Sequence, residues 1–138
     1  MTFLKRRTCG AGRKRRQGTA VAELAVYLPV LVVLVLAAIE CCSMIFLIQS
    51  LNVVAYEGVR IAIQHDSDNS MVTDRCDEVI VERNVQGATV TIDPVDVTTV
   101  ERGEPIHIRV TAPPASNRIL PIRFFTDDVE ADAIMIKE

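Results

Sequence analysis

Two residues near the start of this chain have types and positions that suggest chemistry. Gly18 closes a block of seven cations, Lys5, Arg6, Arg7, Arg13, Lys14, Arg15 and Arg16, that contains no acid. Glu23 is the single acid at the head of the long apolar run that follows. A glycine has no side chain, so the backbone there can enter a tight protease site. A carboxylate inside a membrane segment costs about 3 kcal/mol or more and therefore usually has a partner or a function. Cleavage at the first position and charge pairing at the second are the chemistry these residues could do. The elements that position them are a basic leader and an apolar helix.

From Leu24 to Ile39 sixteen residues carry no charge. At about 1.5 Å per residue they span roughly 24 Å, a little short of a ~30 Å hydrocarbon core. Beyond Glu40 the apolar character resumes, and the run through Ile48 counts twenty-five residues, which is ample. Glu40 is then expected at the outer interface, with its carboxylate reaching water. Pro29 lies inside the run, where a membrane helix tolerates it with a kink or local loosening. A basic block beside a membrane-length apolar run places the N-terminus in the cytoplasm and the rest across the membrane.

Three processing readings compete. A conventional secretory cut would use Val35-Leu36-Ala37, a weak small-residue site. A lipoprotein cut before Cys41 fits badly, because Ile39 and Glu40 precede it. The third reading keeps the apolar run and cuts before it, at Gly18.

Past Ile48 the residues through Gln64 contain no proline and one glycine. Leu47, Leu51, Val54 or Ala55, Gly58, Ile61 and Ala62 fall near helical spacing and form one apolar stripe. Glu57 and Arg60 can pair at i,i+3 on another face. The prediction is one helix of about 45 residues, roughly 65–70 Å long, with its inner half in lipid and its outer half standing free. Such a helix needs lateral partners along its stripe, which points to a subunit that packs into a bundle.

Charge is split sharply along the chain. Residues 1–18 carry +7, and residues 19–138 carry 8 basic and 18 acidic groups, a net −10. The basic end suits an anionic lipid surface, and the acidic body argues against nucleic acid as a partner. The four cysteines, Cys9, Cys41, Cys42 and Cys76, match no zinc spacing. Cys41 and Cys42 read as small apolar filler. The alternatives are an intersubunit disulfide, or one linking Cys76 to the helix.

These residues now form a recognisable series. Arg15-Arg16-Gln17-Gly18, the following Glu23-Leu24-Ala25, the steps Leu28-Pro29 and Ile39-Glu40, then Gln49-Ser50-Leu51-Asn52, and finally Glu57-Gly58-Val59-Arg60 resemble the TadE-like family. Its members are pilin-like or pseudopilin proteins of the tight-adherence, Flp-type IV pilus systems of bacteria. The resemblance covers about residues 15–62. It implies a prepilin peptidase that cuts after Gly18 and frees Thr19, so that Glu23 becomes the fifth mature residue. The Thr19 amine of one subunit would then pair with Glu23 of another and set assembly register. The alternative is that Glu23 snorkels to the interface. The resemblance further implies a minor pilin role in pilus biogenesis and cell adhesion. Its partners would be the membrane, the peptidase, other pilin subunits and an inner-membrane assembly platform. Leu24 departs from the family, in which Phe or Tyr often follows the Glu.

The domain plan has a leader over 1–18, a long helix over 19–64 and a small head over 65–138. The helix is transmembrane at about 24–48 and extends into the periplasm over 49–64. In the head, Asp66 to Ser70 reads as a hinge and Asp74 to Asn84 as a short helix, despite the β-branched Val79-Ile80-Val81. Strands are expected at Ala88–Asp93, at Pro105–Thr111 with Ile106, Ile108 and Val110 inward and His107 and Arg109 outward, and at Ala131–Lys137. Val95 to Arg102 is expected to add an edge strand or a hairpin arm. Pro113, Pro114, Asn117 and Pro121 mark a returning loop, with Phe124 and Phe125 in the core or at a docking patch. The fold class is thus α+β: a long pilin-like helix, then one short helix on a three- or four-stranded antiparallel sheet.

The head shows no phosphate loop, nucleophile elbow or Cys-His pair. His65 and His107 are far apart, and Asp127, Asp128, Glu130 and Asp132 lack the glycine and terminal Glu of an EF-hand. No cofactor and no enzymatic activity are expected. A tethered enzyme ranks below the alternative of an uncleaved single-pass protein whose head binds a ligand or partner.

Overall fold

The computed structural model describes residues 13–120 and 126–137, with side chains of the first helix from Gly18 onward. Most of the basic leader, Cys9, Pro121 and the Phe124–Phe125 pair lie outside the described residues. Helix α1 runs Arg13–Ala62 without interruption, passing through Pro29. The chain divides into two compact units, Met1–Ala38 and Ile39–Glu138, and α1 contributes to both.

In the second unit α1 supplies the longest side of the core. Leu47, Leu51, Val54, Ala55, Val59 and Ala62 are buried on it. Ser67 then closes the helix by donating its hydroxyl to the carbonyls of Ala62 and Gln64 at 2.8 and 2.9 Å. The expected hinge is therefore a pinned connection: Ser67 is buried, and the next residue, Asp68, caps the following helix by accepting from the Met71 amide at 2.8 Å. A cap at Asp68 explains why helix α2 spans Asn69–Glu82 and starts ahead of the expected Asp74. Val72, Cys76 and Val79 form its buried face, and that burial outweighs the weak helix preference of Val79–Val81. The helix ends on Asn84, whose φ of 53° is left-handed. The Asn84 and Val85 amides return to the carbonyls of Val81 and Ile80 at 3.0 Å each, which satisfies the last turn.

Three strands follow, β1 at Thr89–Asp93, β2 at Pro105–Ala112 and β3 at Val129–Ile136. They form an antiparallel meander in the order β1-β2-β3, with Val90 opposite Val110 and Ile108 opposite Ala133. The alternation on β2 is as the sequence predicts: Ile106, Ile108, Val110 and Ala112 are buried, while Arg109 is exposed and His107 half-buried. The α+β layout of one long helix, one short helix and a three-stranded sheet is the architecture expected.

The Val95–Arg102 segment is not a strand. It forms a single 3-10 turn at Val97–Thr99. Asp96 caps that turn through the Thr98 amide at 2.9 Å. Asn69 donates to the Val95 carbonyl at 2.6 Å and accepts from the Val97 amide at 3.0 Å, and Lys137 donates to the Val97 carbonyl at 2.6 Å. Side chains thus take the backbone groups that a sheet ladder would need, while the Val97 side chain fills the core. Within the returning loop Pro114–Asn117 makes one helical turn. Asn117 ties it to Gln86, accepting from that residue's amide at 2.7 Å and donating to its carbonyl at 2.8 Å.

Candidate processing and packing sites

Gly18 lies within α1, so the Gly18–Thr19 peptide bond is helical. A Cβ built on Gly18 meets nothing within 4 Å. Packing in the folded chain therefore gives no reason for glycine at this position. Its physical effect is local: glycine weakens a helix by about 1 kcal/mol relative to alanine, which eases opening of the turn that holds the bond. Glu23 is exposed, one turn further on. Around it the large apolar residues from Val21 to Val35 are 47–70% exposed. A helix apolar on all sides buries itself in lipid or among other helices. The stretch Gly18–Ala62 is long and apolar enough to cross a membrane.

The second group of candidate residues sits where α1 meets α2 and the sheet. A Cβ on Gly58 would lie 2.5 Å from the Cys76 sulfur and 3.2 Å from Ile108 Cδ1. Here packing alone requires glycine, since α2 and β2 both approach the bare backbone. Cys76 is fully buried, and burial with the neighbouring Asp77 charge pushes its thiol up to about 11. It is a free thiol packed against Gly58, so no disulfide joins it to α1. Beside it Arg75 reaches Glu57 at 3.2 Å and Glu78 at 2.7 Å, and Arg60 lies 3.7 Å from Glu57. The expected Glu57–Arg60 pair is thus the weaker half of a network whose stronger cation comes from α2. That network holds the Arg75 guanidinium above its ordinary range, Glu78 contributing most.

Of the packing residues read from the sequence, Leu51, Ala55 and Gly58 lie in the core, and Ile61 lies half-buried at its rim. Val59, which the stripe omitted, is fully buried. Glu40 is a correction. It was expected to reach water, yet it is only 2% exposed, and its Oε2 has no hydrogen-bond partner. Its backbone carbonyl accepts from the Ser43 hydroxyl at 2.8 Å. Ser50, on the same side of α1, is also fully buried with an unpartnered hydroxyl. Cys41 and Cys42, expected as filler, are exposed in the protein alone. Arg75, Asn69 and Lys137 were missed as structural residues, because their partners lie 18 to 40 positions away. Among the described residues no group of three or more His, Cys, Asp or Glu could hold a metal ion.

One comparison gives a family match, over about a third of the chain. Residues 18–60 match the TadE-like protein family. The match opens on the glycine whose side-chain space is empty and closes on Arg60 of the Glu57–Arg60 tail. It therefore covers the apolar segment and the Gly58 contact, and leaves the head beyond α1 outside. No curated protein and no solved structure matches the chain. The TadE-like segment and the apolar helix together fit a membrane-anchored, pilus-associated protein.

Proposed function

We propose that the chain is a minor pilin or pseudopilin-like structural component of a tight-adherence pilus or related secretion apparatus. A prepilin peptidase removes residues 1–18 at the cytoplasmic face of the inner membrane. The new Thr19 amine and the Glu23 carboxylate then neutralise each other between subunits, which lowers the cost of burying Glu23 among apolar helices. The head stands in the periplasm, and the helix joins other pilin subunits at an assembly platform. The observation that carries this reading is the family match opening at Gly18, on a glycine that the folded chain itself does not need.

A second reading, an uncleaved anchored head that binds a ligand, is favoured by one feature. A groove of about 290 Å³ on the sheet is lined by Thr91, Asp93, Val95, His107, Arg109 and Asp132. Intact mass of the protein from a host with the peptidase separates the two. Loss of residues 1–18 is expected, and Glu23→Ala should leave cleavage unchanged while incorporation into pili fails. An intact N-terminus, or a cut near Ala37, would discard the pilin reading.

A further inference from the structure

The face of the sheet turned away from the core carries polar residues that the fold does not use. Strand alternation sends Ile106, Ile108 and Ala131 inward, and so sends His107, Arg109 and Asp132 outward. The register sets Asp93 opposite His107, Thr91 opposite Arg109, and Arg109 opposite Asp132. These five side chains and Val95 line the groove of about 290 Å³. Among the described residues none of the five makes a side-chain hydrogen bond, and the one ion pair they form, Arg109 to Asp132, is a loose 3.9 Å. Elsewhere in the head, Asn69, Asp96, Asn117 and Lys137 spend their polar atoms on turns and connections. Aspartate is also a poor strand former, yet Asp132 sits in the middle of β3.

We infer that this groove binds a neutral saccharide unit. Its charges decide the class. Two carboxylates face one guanidinium, so an anionic ligand meets Asp93 and Asp132, and a simple cation meets Arg109. A neutral ligand rich in hydroxyls avoids both penalties. The carboxylates only accept hydrogen bonds, the guanidinium only donates, and the Thr91 hydroxyl does both. A sugar hydroxyl also does both, and two neighbouring hydroxyls match the paired oxygens of Asp93 or the fork of Arg109. His107, opposite Asp93 and two residues from Arg109, adds a ring nitrogen for a third. Val95, 83% exposed, supplies an apolar wall for the C–H surface of the ring. The volume lies at the lower end of ligand pockets, about 300–1,000 Å³, which suits one ring rather than a long chain. The inference rests on the reading of the head as a ligand binder, and not on whether the N-terminus is cleaved.

The test uses the full chain in lipid nanodiscs, free of glycoside detergents, followed by residue-resolved NMR. The probes are the methyl glycosides of glucose, galactose, mannose and N-acetylglucosamine, with acetate, methylammonium and glycine as charged comparisons. A saturable shift at Thr91, Asp93, His107, Arg109 and Asp132 is expected with at least one glycoside, and with none of the charged probes. Asp93→Ala and Arg109→Gln should each weaken binding about tenfold, as loss of a hydrogen bond to a charged group does. Unchanged thermal melting of both variants checks that the head is intact. Glu130→Gln, on the same face but outside the groove, should leave binding unchanged. A glycoside shift elsewhere, or one that ignores both groove variants, would overturn the inference. Saturation of the groove by acetate, methylammonium or glycine alone would overturn the saccharide class and leave ligand binding standing. No response to any probe would overturn both, and intact mass of the same sample reads processing separately.

Discussion

Helix α1 contains two glycines and three glutamates, and one of each in either half allows a comparison at fixed chemistry. In the inner half Gly18 has no neighbour within 4 Å of a Cβ, and Glu23 is exposed on a bare apolar helix. In the outer half Gly58 has the Cys76 sulfur at 2.5 Å, and Glu40 is 2% exposed without a partner for Oε2. Folding accounts for Gly58 completely and for Gly18 not at all. The lesson is that a residue unexplained by its own fold is where a requirement outside the fold is to be sought, and the proposed processing would supply one for Gly18. Glu40 adds the converse, a charged residue type taken into the fold at a cost to stability.

Substitutions at matched positions should separate the halves. The largest effect is expected at Gly58→Ala, where the added methyl overpacks α1 against Cys76 and Ile108. After allowing for the better helix preference of alanine, a loss of about 2 kcal/mol is expected in thermal or urea unfolding. Gly58→Ala combined with Cys76→Ala should recover most of it, because the sulfur is the atom in the way. Gly18→Ala should leave the same unfolding curve in place, and its effect should appear in leader removal. Equal losses at both glycines would break the comparison.

Next in size, Glu40→Met should stabilise the second unit by about 1–2 kcal/mol, since it removes a buried, incompletely bonded carboxylate. Glu23→Met should not move that transition. A destabilised Glu40→Met protein would show that the buried carboxylate has a partner worth more than its burial costs.

A smaller effect lies at alkaline pH. The folded Cys76 thiol titrates near 11 against an ordinary 9.0, so the unfolded chain ionises first. Its contribution is fully present below about 9 and is lost as pH rises toward about 11. The melting temperature should fall across that window, and Cys76→Ala should remove this part of the fall. The smallest effect is at Asp68. The Met71 amide and the Ser70 hydroxyl hold its carboxyl below its ordinary 3.8. Its stabilisation is therefore present above 3.8 and lost as pH falls through the lowered value. Asp68→Asn keeps the cap and should flatten that acid limb, as circular dichroism would show.

Much of the fold was legible because its signals are local. The alternation at Ile106–Val110 and the spacing of Leu47, Leu51 and Ala55 each encode one face of one element. The start of α2 was also encoded, in the Asp68 cap, but polar residues at a helix start look the same as a hinge. The turn at Val97 was illegible, since residues far away at Asn69 and Lys137 complete its hydrogen bonds. Glu40 was misread for a related reason: composition marks where a helix leaves lipid and says nothing of which of its side chains the fold buries. For the candidate sites, Gly18 and Glu23 were legible as departures from their surroundings. Gly58 was legible only as part of the tail series, and the reason for it, Cys76, emerged from the packing.

The central claim is that one helix serves two settings, packed along one face from Leu47 outward and exposed at its large apolar residues from Val21 to Val35. Residue-resolved amide hydrogen exchange on the full chain in detergent and in lipid nanodiscs tests it most directly. The account predicts that Leu51 to Val59 exchange only with global unfolding of the second unit, at the same rate in both media. Val21 to Val35 should change protection when the surrounding apolar phase is changed. Uniform protection along α1 that ignores the medium, or outer-half amides that follow the medium as the inner ones do, would contradict it.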